Sequence, residues 1–276
     1  MKIYDCITYC GEDLLLNLRF ETLNNYVDKF VIIEGNKYFN GEKKPKFFDL
    51  KKFNKFKNKI DYFFIEDFPE YRGDNYLYEH YQRDQIKRGL GGLAPDDIVI
   101  LSDADEIPNL KNRNFMKHDS TIFLQNMYYY KLNIHFYQGL KWKNKSAGTK
   151  CCKYKFFTSG QNIRNFRVKN IPWWRFDRKI KRYIENDGGW HFSYMMDEKE
   201  VKLKLQRMPG EIDHLLKNND LAKNNLFKDE IIKNKIQDFK DPYGRKDIFL
   251  KKVNLDDSFP LEIRNNLELY SKYIAQ

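Results

Sequence analysis

Three carboxylates, Asp103, Asp105 and Glu106, close the stretch DDIVILSDADEIP at residues 96–108. Carboxylates this close repel one another and raise a pKa unless a cation neutralises them, so a divalent metal ion is their natural partner. An all-oxygen ligand set suits Mg²⁺ or Mn²⁺, ions that commonly carry substrate phosphates. An isolated Asp-x-Asp is more often a solvated turn that caps the next element. The apolar run Ile98–Leu101 in front of this one, and Ile107-Pro108 behind it, turn the reading toward a site.

A run that short, rich in Ile and Val and announced by Pro95-Asp96-Asp97, reads as a parallel strand covered on both faces. In open α/β sheets ligands collect beyond the carboxyl ends of such strands, where Asp103 and Asp105 emerge. Upstream, the sequence predicts a strand at Ile3–Tyr9 and a helix from about Glu12 to Tyr26, with Leu14, Leu15, Leu18 and Leu23 at near-helical spacing. A second strand ends at Glu34. A loop from Gly35 to Pro45, a short helical region, a strand at Ile60–Ile65 and a charged helix from about Asn75 to Gly89 follow. Strand, helix, strand is the parallel α/β signature. Beyond the acidic cluster, alternating aromatic runs such as STIFLQNMYYYKLNIHFY predict antiparallel or mixed strands, and from Asp197 Lys-rich helical patterns dominate. The expected fold is α/β in one domain. Residues 1–108 form a parallel, Rossmann-like nucleotide-binding half, 109–195 a mixed-sheet half for an acceptor, and 196–276 a helical C-terminal region. That is the plan of a nucleotide-sugar transferase.

Composition bounds the alternatives. The chain has 276 residues, 41% hydrophobic and 16% aromatic, enough for a sizeable core. No apolar stretch approaches the roughly 18 residues of a membrane span, and no leader is visible before the first strand, so a cytoplasmic protein is expected. Cys6, Cys10, Cys151 and Cys152 lack metal-site spacing and read as reduced thiols. The net charge of +11 is concentrated: between Lys141 and Glu185 fourteen Lys and Arg face only Asp177 and Glu185. Interleaved with Trp142, Phe156, Phe157, Trp173, Trp174 and Phe176, that segment raises a nucleic-acid reading, against which stands a solvated Lys-rich surface over an aromatic core.

Six separated stretches carry a more specific likeness: IYDCITYCGEDLLLNLR, VDKFVIIE, FNGEKKP, YQRDQIKRGL, DDIVILSDADEIP and GGWHFSY, within about residues 2–194. In that order they resemble glycosyltransferase family 17, which includes the β-1,4-N-acetylglucosaminyltransferase that adds the bisecting residue to N-glycans. The resemblance implies a GT-A type fold and transfer of a sugar, GlcNAc foremost, from a UDP-sugar to a glycan or polysaccharide acceptor with inversion at the anomeric carbon. The chain departs from the pattern at Gly11-Glu12, where the family usually has Asn-Glu, and at LQRMPGEIDH after GGWHFSY.

On that reading Asp105 holds Mn²⁺ or Mg²⁺, Asp103 binds metal or ribose, and His191 of GGWHFSY completes the metal's coordination. Glu106 is a ligand, a supporting group or the cap of the next turn. Arg83 matches a position suited to gripping the diphosphate, with an ordinary i,i+4 pairing to Glu79 as the alternative. Glu12, Arg19, Glu34 and Lys44 match family positions too: Glu34 is placed to touch uridine, Glu12 to line the donor site or cap its helix, Lys44 to meet the donor or remain a loop charge. Trp190 offers a flat face to a sugar, or packs in the core. For the general base that an inverting transfer requires, the candidates are Asp187 and Glu211. The expected partners are a nucleotide sugar and a glycan acceptor, with no specific nucleic acid. The competing enzyme class is a haloacid dehalogenase-type phosphatase, which also places Asp-x-Asp at a strand end but uses the first Asp as nucleophile.

Overall fold

Seven consecutive buried residues, Ile3–Tyr9, form strand β1 at the centre of the molecule, flanked by β2 (Lys29–Gly35) and β4 (Ile98–Asp103). The computed structural model describes residues 1–70, 76–139, 145–168, 182–207 and 225–276. Strand β3 (Ile60–Ile65) joins β2, and all four strands run parallel. Their Ile and Val runs are buried because both faces are covered. On one face lies α1 (Asp13–Leu23), which buries Leu15, Leu16, Leu18, Phe20 and Leu23; on the other, Cys6, Val31, Ile33, Val99 and Leu101 pack beneath the segment following α2 (Leu77–Asp84). The register aligns Thr8 with Asp103 and Tyr9 with Glu34, so the carboxyl ends of three strands meet along one edge.

From β4 the chain passes through Ala104-Asp105 directly into β5 (Glu106–Pro108), which belongs to a second sheet. The acidic cluster is therefore the hinge point between the two sheets. Strands β6 (Ser120–Phe123), β10 (Lys150–Lys153) and β11 (Arg182–Glu185) return to the first sheet, with β10 antiparallel to β4. The second sheet has the order β13-β8-β7-β12-β5, built from β7 (Gln125–Tyr129), β8 (Ile134–Gln138), β12 (Gly189–Ser193) and β13 (Ile248–Lys252), with β9 (Lys145–Ser146) on β7. A division at residue 108 thus divides the chain but not the sheets. Within the aromatic run 120–137, Leu124 separates β6 of one sheet from β7 of the other, and β7 and β8 pair antiparallel.

Strand β12 lies between β5 and β7 and sets His191 opposite Glu106. Gly189 permits that approach: its φ is +109°, and a Cβ there would meet the Ile107 carbonyl oxygen at 2.3 Å. The glycines of GGWHFSY serve strand packing. After α3 (Gly160–Arg164) come α4 (Glu198–Arg207), α5 (Asp229–Gln237), α6 (Leu261–Asn265) and α7 (Leu267–Tyr270), with α6 packed against α1. Strand β13 is an element the helical patterns after residue 196 did not show. It pairs antiparallel with β8 at the sheet's edge. No described helix is long and apolar enough to cross a membrane.

Candidate active site

Arg19 fixes the acidic turn from below. Fully buried on α1, its guanidinium donates to both oxygens of Asp5 at 2.6 Å, to Ser102 Oγ at 2.9 Å and to the Glu106 carbonyl at 2.6 Å. From the other side Phe192 N–H donates to the Asp105 carbonyl at 2.9 Å. The backbone carrying Asp105 is therefore held by both sheets, the kind of rigid support that a precise site requires.

Asp103 and Glu106 are compensated by protein cations. Arg164, at the end of α3, places Nη1 2.7 Å from Glu106 Oε2 and Nη2 2.9 Å from both Glu106 Oε1 and Asp103 Oδ2. Glu106 is buried and also accepts the Asp103 N–H, and Gly148 passes so close that a Cβ would lie 2.4 Å from its carboxyl carbon. Asp103 additionally accepts from Thr8 Oγ1 at 2.9 Å and from Arg83 at 3.2 Å. Burial alone would raise the Asp103 pKa, but Arg164 and Arg83 outweigh it and hold the carboxyl well below the usual range.

Asp105 faces outward from the same turn. Its Oδ1 lies 3.7 Å from His191 Nε2 and its Oδ2 lies 3.4 Å from Lys204 Nζ on α4. Burial opposes ionisation here as well, but Lys204 and His191 bring the Asp105 pKa down to about 2. Burial pulls the His191 pKa down and Asp105 more than reverses it. The His191 Nδ1 is buried with no hydrogen-bond partner among the described residues.

Asp105 forms part of the wall of a cleft of about 750 Å³, which lies between the β1–α1 turn, the loop after β2, the end of β12 and helix α4. Of the residues singled out by sequence, Glu12, Lys44 and Asp105 line it. Glu12 does not cap α1 with its side chain; it accepts the Cys10 N–H at 2.8 Å, and burial raises its pKa against the pull of Lys204. Lys44 is a buried partner of Glu34 rather than a loop charge.

Other expectations are corrected. The Glu34 carboxylate is fully buried and accepts from Lys44, the Phe47 and Phe48 N–H groups and the Tyr62 hydroxyl, so it shapes the 44–48 loop and leaves no edge for a base. Arg83 pairs with both Glu79 at 2.5 Å, the alternative its spacing offered, and Asp103, and it is not among the residues that line the cleft. Trp190 is core: its ring is buried and its N–H donates to the Ser258 carbonyl at 2.8 Å. Asp187 is exposed, accepts from the Asn109 amide and is not among the residues that line the cleft. Glu211 lies outside the described residues.

As a ligand for a divalent ion Asp103 would compete with Thr8, Arg83 and Arg164, which donate to its two oxygens. Asp105 and His191 do fit: one carboxylate oxygen and one imidazole converge at 3.7 Å beside the cleft. Hard divalent ions commonly take one or two carboxylates and complete their shell with water and substrate phosphate. No group of three His, Cys, Asp or Glu gathers around one point among the described residues.

Sequence reasoning missed Lys204 and Arg207. Glu200, Leu203, Lys204 and Arg207 all line the cleft, and their i, i+3, i+4, i+7 spacing is a single helix stripe. That spacing was visible; the docking of the stripe was not.

Comparison with known proteins places the chain. A solved structure described as a glucose-1-phosphate thymidylyltransferase from Bacillus anthracis is similar at 12% identity and a TM-score of 0.35, covering 68% of this chain and 87% of that one. Proteins named beta-1,4-mannosyl-glycoprotein 4-beta-N-acetylglucosaminyltransferase are similar over 126 residues, at 34% identity in Homo sapiens and Rattus norvegicus and 33% in Mus musculus. That segment is 42% of this chain but only 24% of the human protein and 23% of the rat and mouse proteins, so the likeness spans about a quarter of those relatives. The family model described as Glycosyltransferase family 17 matches residues 1–258, and the chain belongs to that family.

Proposed function

We propose that this protein is an inverting glycosyltransferase of GT-A type that moves a sugar, GlcNAc foremost, from a UDP-sugar to a glycan or polysaccharide acceptor with the help of Mn²⁺ or Mg²⁺. The observation that carries the reading is the placement of Asp105, fixed by both sheets and facing a large cleft beyond the carboxyl ends of parallel strands. A divalent ion held by Asp105 and His191 would act as Lewis acid toward the leaving diphosphate.

This chain's own groups account for the remaining chemistry. The acceptor hydroxyl attacks the anomeric carbon as the bond to the β-phosphate oxygen breaks, and its proton must go to a base. Glu12 takes that role in this reading: it lines the cleft, and burial raises its pKa, which makes the carboxylate a stronger base. Glu106, Arg164 and Arg83 hold the turn in place from behind.

Two competing classes lose support. A dehalogenase-type phosphatase needs the first Asp as a free nucleophile, whereas Asp103 is held by two guanidinium groups and a hydroxyl. A nucleic-acid surface needs accessible cations, whereas several described cations of the basic segment are paired: Lys153 and Lys155 with Asp96, and Arg164 with Asp103 and Glu106. The test is release of nucleoside diphosphate from a panel of UDP- and GDP-sugars with Mn²⁺, alongside phosphate release from simple esters. Turnover of a nucleotide sugar supports the proposal; phosphate-ester hydrolysis alone contradicts it.

A further inference from the structure

Helix α4 brings two cations to a cleft whose other lysines are Lys37, which donates to the Tyr78 hydroxyl at 3.2 Å, and Lys44. Lys44 is locked to Glu34, while Glu12, Asp105 and Glu200 line the walls with negative charge. A nucleoside diphosphate brings further negative charge, so it can settle beside those carboxylates only against cations able to turn toward it.

Lys204 and Arg207 have that freedom. Lys204 Nζ stands 3.4 Å from Asp105 Oδ2 and 5.1 Å above the Tyr194 ring, a looser contact than the 2.6–2.9 Å bonds that bind Arg19. The Arg207 guanidinium lies over Tyr38, 3.6 Å from the ring centroid, and among the described residues its carboxylate contact is to Glu42, at 3.9 Å. Its Nε is buried without a hydrogen-bond partner among the described residues. A guanidinium stacked on an aromatic ring keeps its planar edge of donors available, the geometry that matches phosphate. The two oxygens of Asp105 also face different neighbours, Oδ1 toward His191 and Oδ2 toward Lys204. Lys204 thus adds a cation beside the Asp105 oxygen that does not face His191.

We propose that Lys204 and Arg207 form the anion grip for the diphosphate of the donor, with the Arg207–Tyr38 stack holding the guanidinium in place. The proposal rests on the glycosyltransferase reading and adds residues that bind the leaving group. It also implies that nucleoside diphosphate binding does not depend wholly on a divalent ion.

The test is titration calorimetry of UDP and GDP, with uridine and guanosine as controls, in EDTA and in Mn²⁺. The proteins are the wild type, Lys204→Met, Arg207→Met, Lys204→Arg and Lys202→Met; Met preserves the aliphatic stem, and circular dichroism checks folding. Lys202 pairs with Asp229 and does not line the cleft, so it serves as the control. The expected result is diphosphate binding in EDTA that weakens at least tenfold in each Met variant, with Lys204→Arg closer to wild type, Lys202→Met unchanged and nucleoside binding unaffected. Wild-type-like diphosphate affinity in folded Lys204→Met and Arg207→Met overturns the grip while leaving the glycosyltransferase reading intact. Failure of the wild type to bind either diphosphate, with or without Mn²⁺, overturns both.

Discussion

Replacing Arg164 with Met removes the guanidinium that compensates Glu106 and Asp103, and its cost can be worked from the contacts. Four hydrogen bonds are lost, to Glu106 Oε1 and Oε2, to Asp103 Oδ2 and to the Gly148 carbonyl. Asp103 retains Thr8 and Arg83, but Glu106, only 1% exposed, keeps nothing except the Asp103 N–H. Breaking a buried ion pair on one side typically costs about 3–5 kcal/mol because a charge is left uncompensated. Arg164 is itself partly exposed, so about 4 kcal/mol is expected, or a fall in Tm of about 8 °C at roughly 2 °C per kcal/mol for a chain of this size. Adding Glu106→Gln removes the stranded charge, so the double variant should recover about half of the loss. Scanning calorimetry of the four proteins of that cycle gives the answer. A drop in Tm below about 2 °C for Arg164→Met, or a double variant no more stable than that single one, refutes the claim that Arg164 holds this turn by compensating Glu106.

Asp105→Asn should remain folded, checked by circular dichroism, and lower sugar transfer at least a hundredfold, about 2.7 kcal/mol of transition-state stabilisation, measured as nucleotide release. His191→Ala should weaken activation by Mn²⁺, read as a higher half-saturating concentration in a metal titration; an unchanged titration curve removes it from the metal site. Glu12→Gln should lower kcat at least tenfold while donor affinity measured by calorimetry stays within about threefold, as expected for a base that acts only in the chemical step. Stability should fall in acid. Asp103 and Asp105 are depressed on folding, Asp105 to about 2, so their contribution is present above the unfolded carboxylate value near 3.9 and is lost as pH falls through the folded values. Urea midpoints compared at pH 6, 4 and 3 should therefore drop most steeply below 4, and the drop should shrink in Asp105→Asn.

The central parallel strands were legible because burial on both faces leaves a direct mark: Ile3–Tyr9 and the strand ending at the acidic cluster lie where their apolar runs are, and Ile60–Ile65, at the sheet edge and only partly buried, keeps an apolar, aromatic run. Strand β13 left no such mark, since at a sheet edge Phe249, Lys251 and Lys252 are exposed and no alternation survives. The proximity of His191 to Asp105 came from family resemblance; only the pairing of β12 with β5 explains it physically. Arg164 was grouped with a basic face because charge is countable in sequence, whereas its contact with Glu106, 58 positions away, depends on α3 packing against the end of β4. Glu34 and Trp190 show the converse. Their residue types suit a ligand, but complete burial and internal hydrogen bonds commit them to the framework.

The central claim is that Asp105 and its cleft transfer a sugar from a nucleotide donor. It is tested most directly by incubating wild type and Asp105→Asn with UDP-GlcNAc and Mn²⁺, with and without a glycan acceptor panel, and quantifying UDP and extended glycan by mass spectrometry. The account predicts acceptor-stimulated UDP release and a glycan heavier by one sugar in the wild type, both reduced at least a hundredfold in the variant. Equal turnover by the two proteins, or no sugar transfer from UDP-GlcNAc or any other nucleotide sugar by a folded wild type, would contradict it.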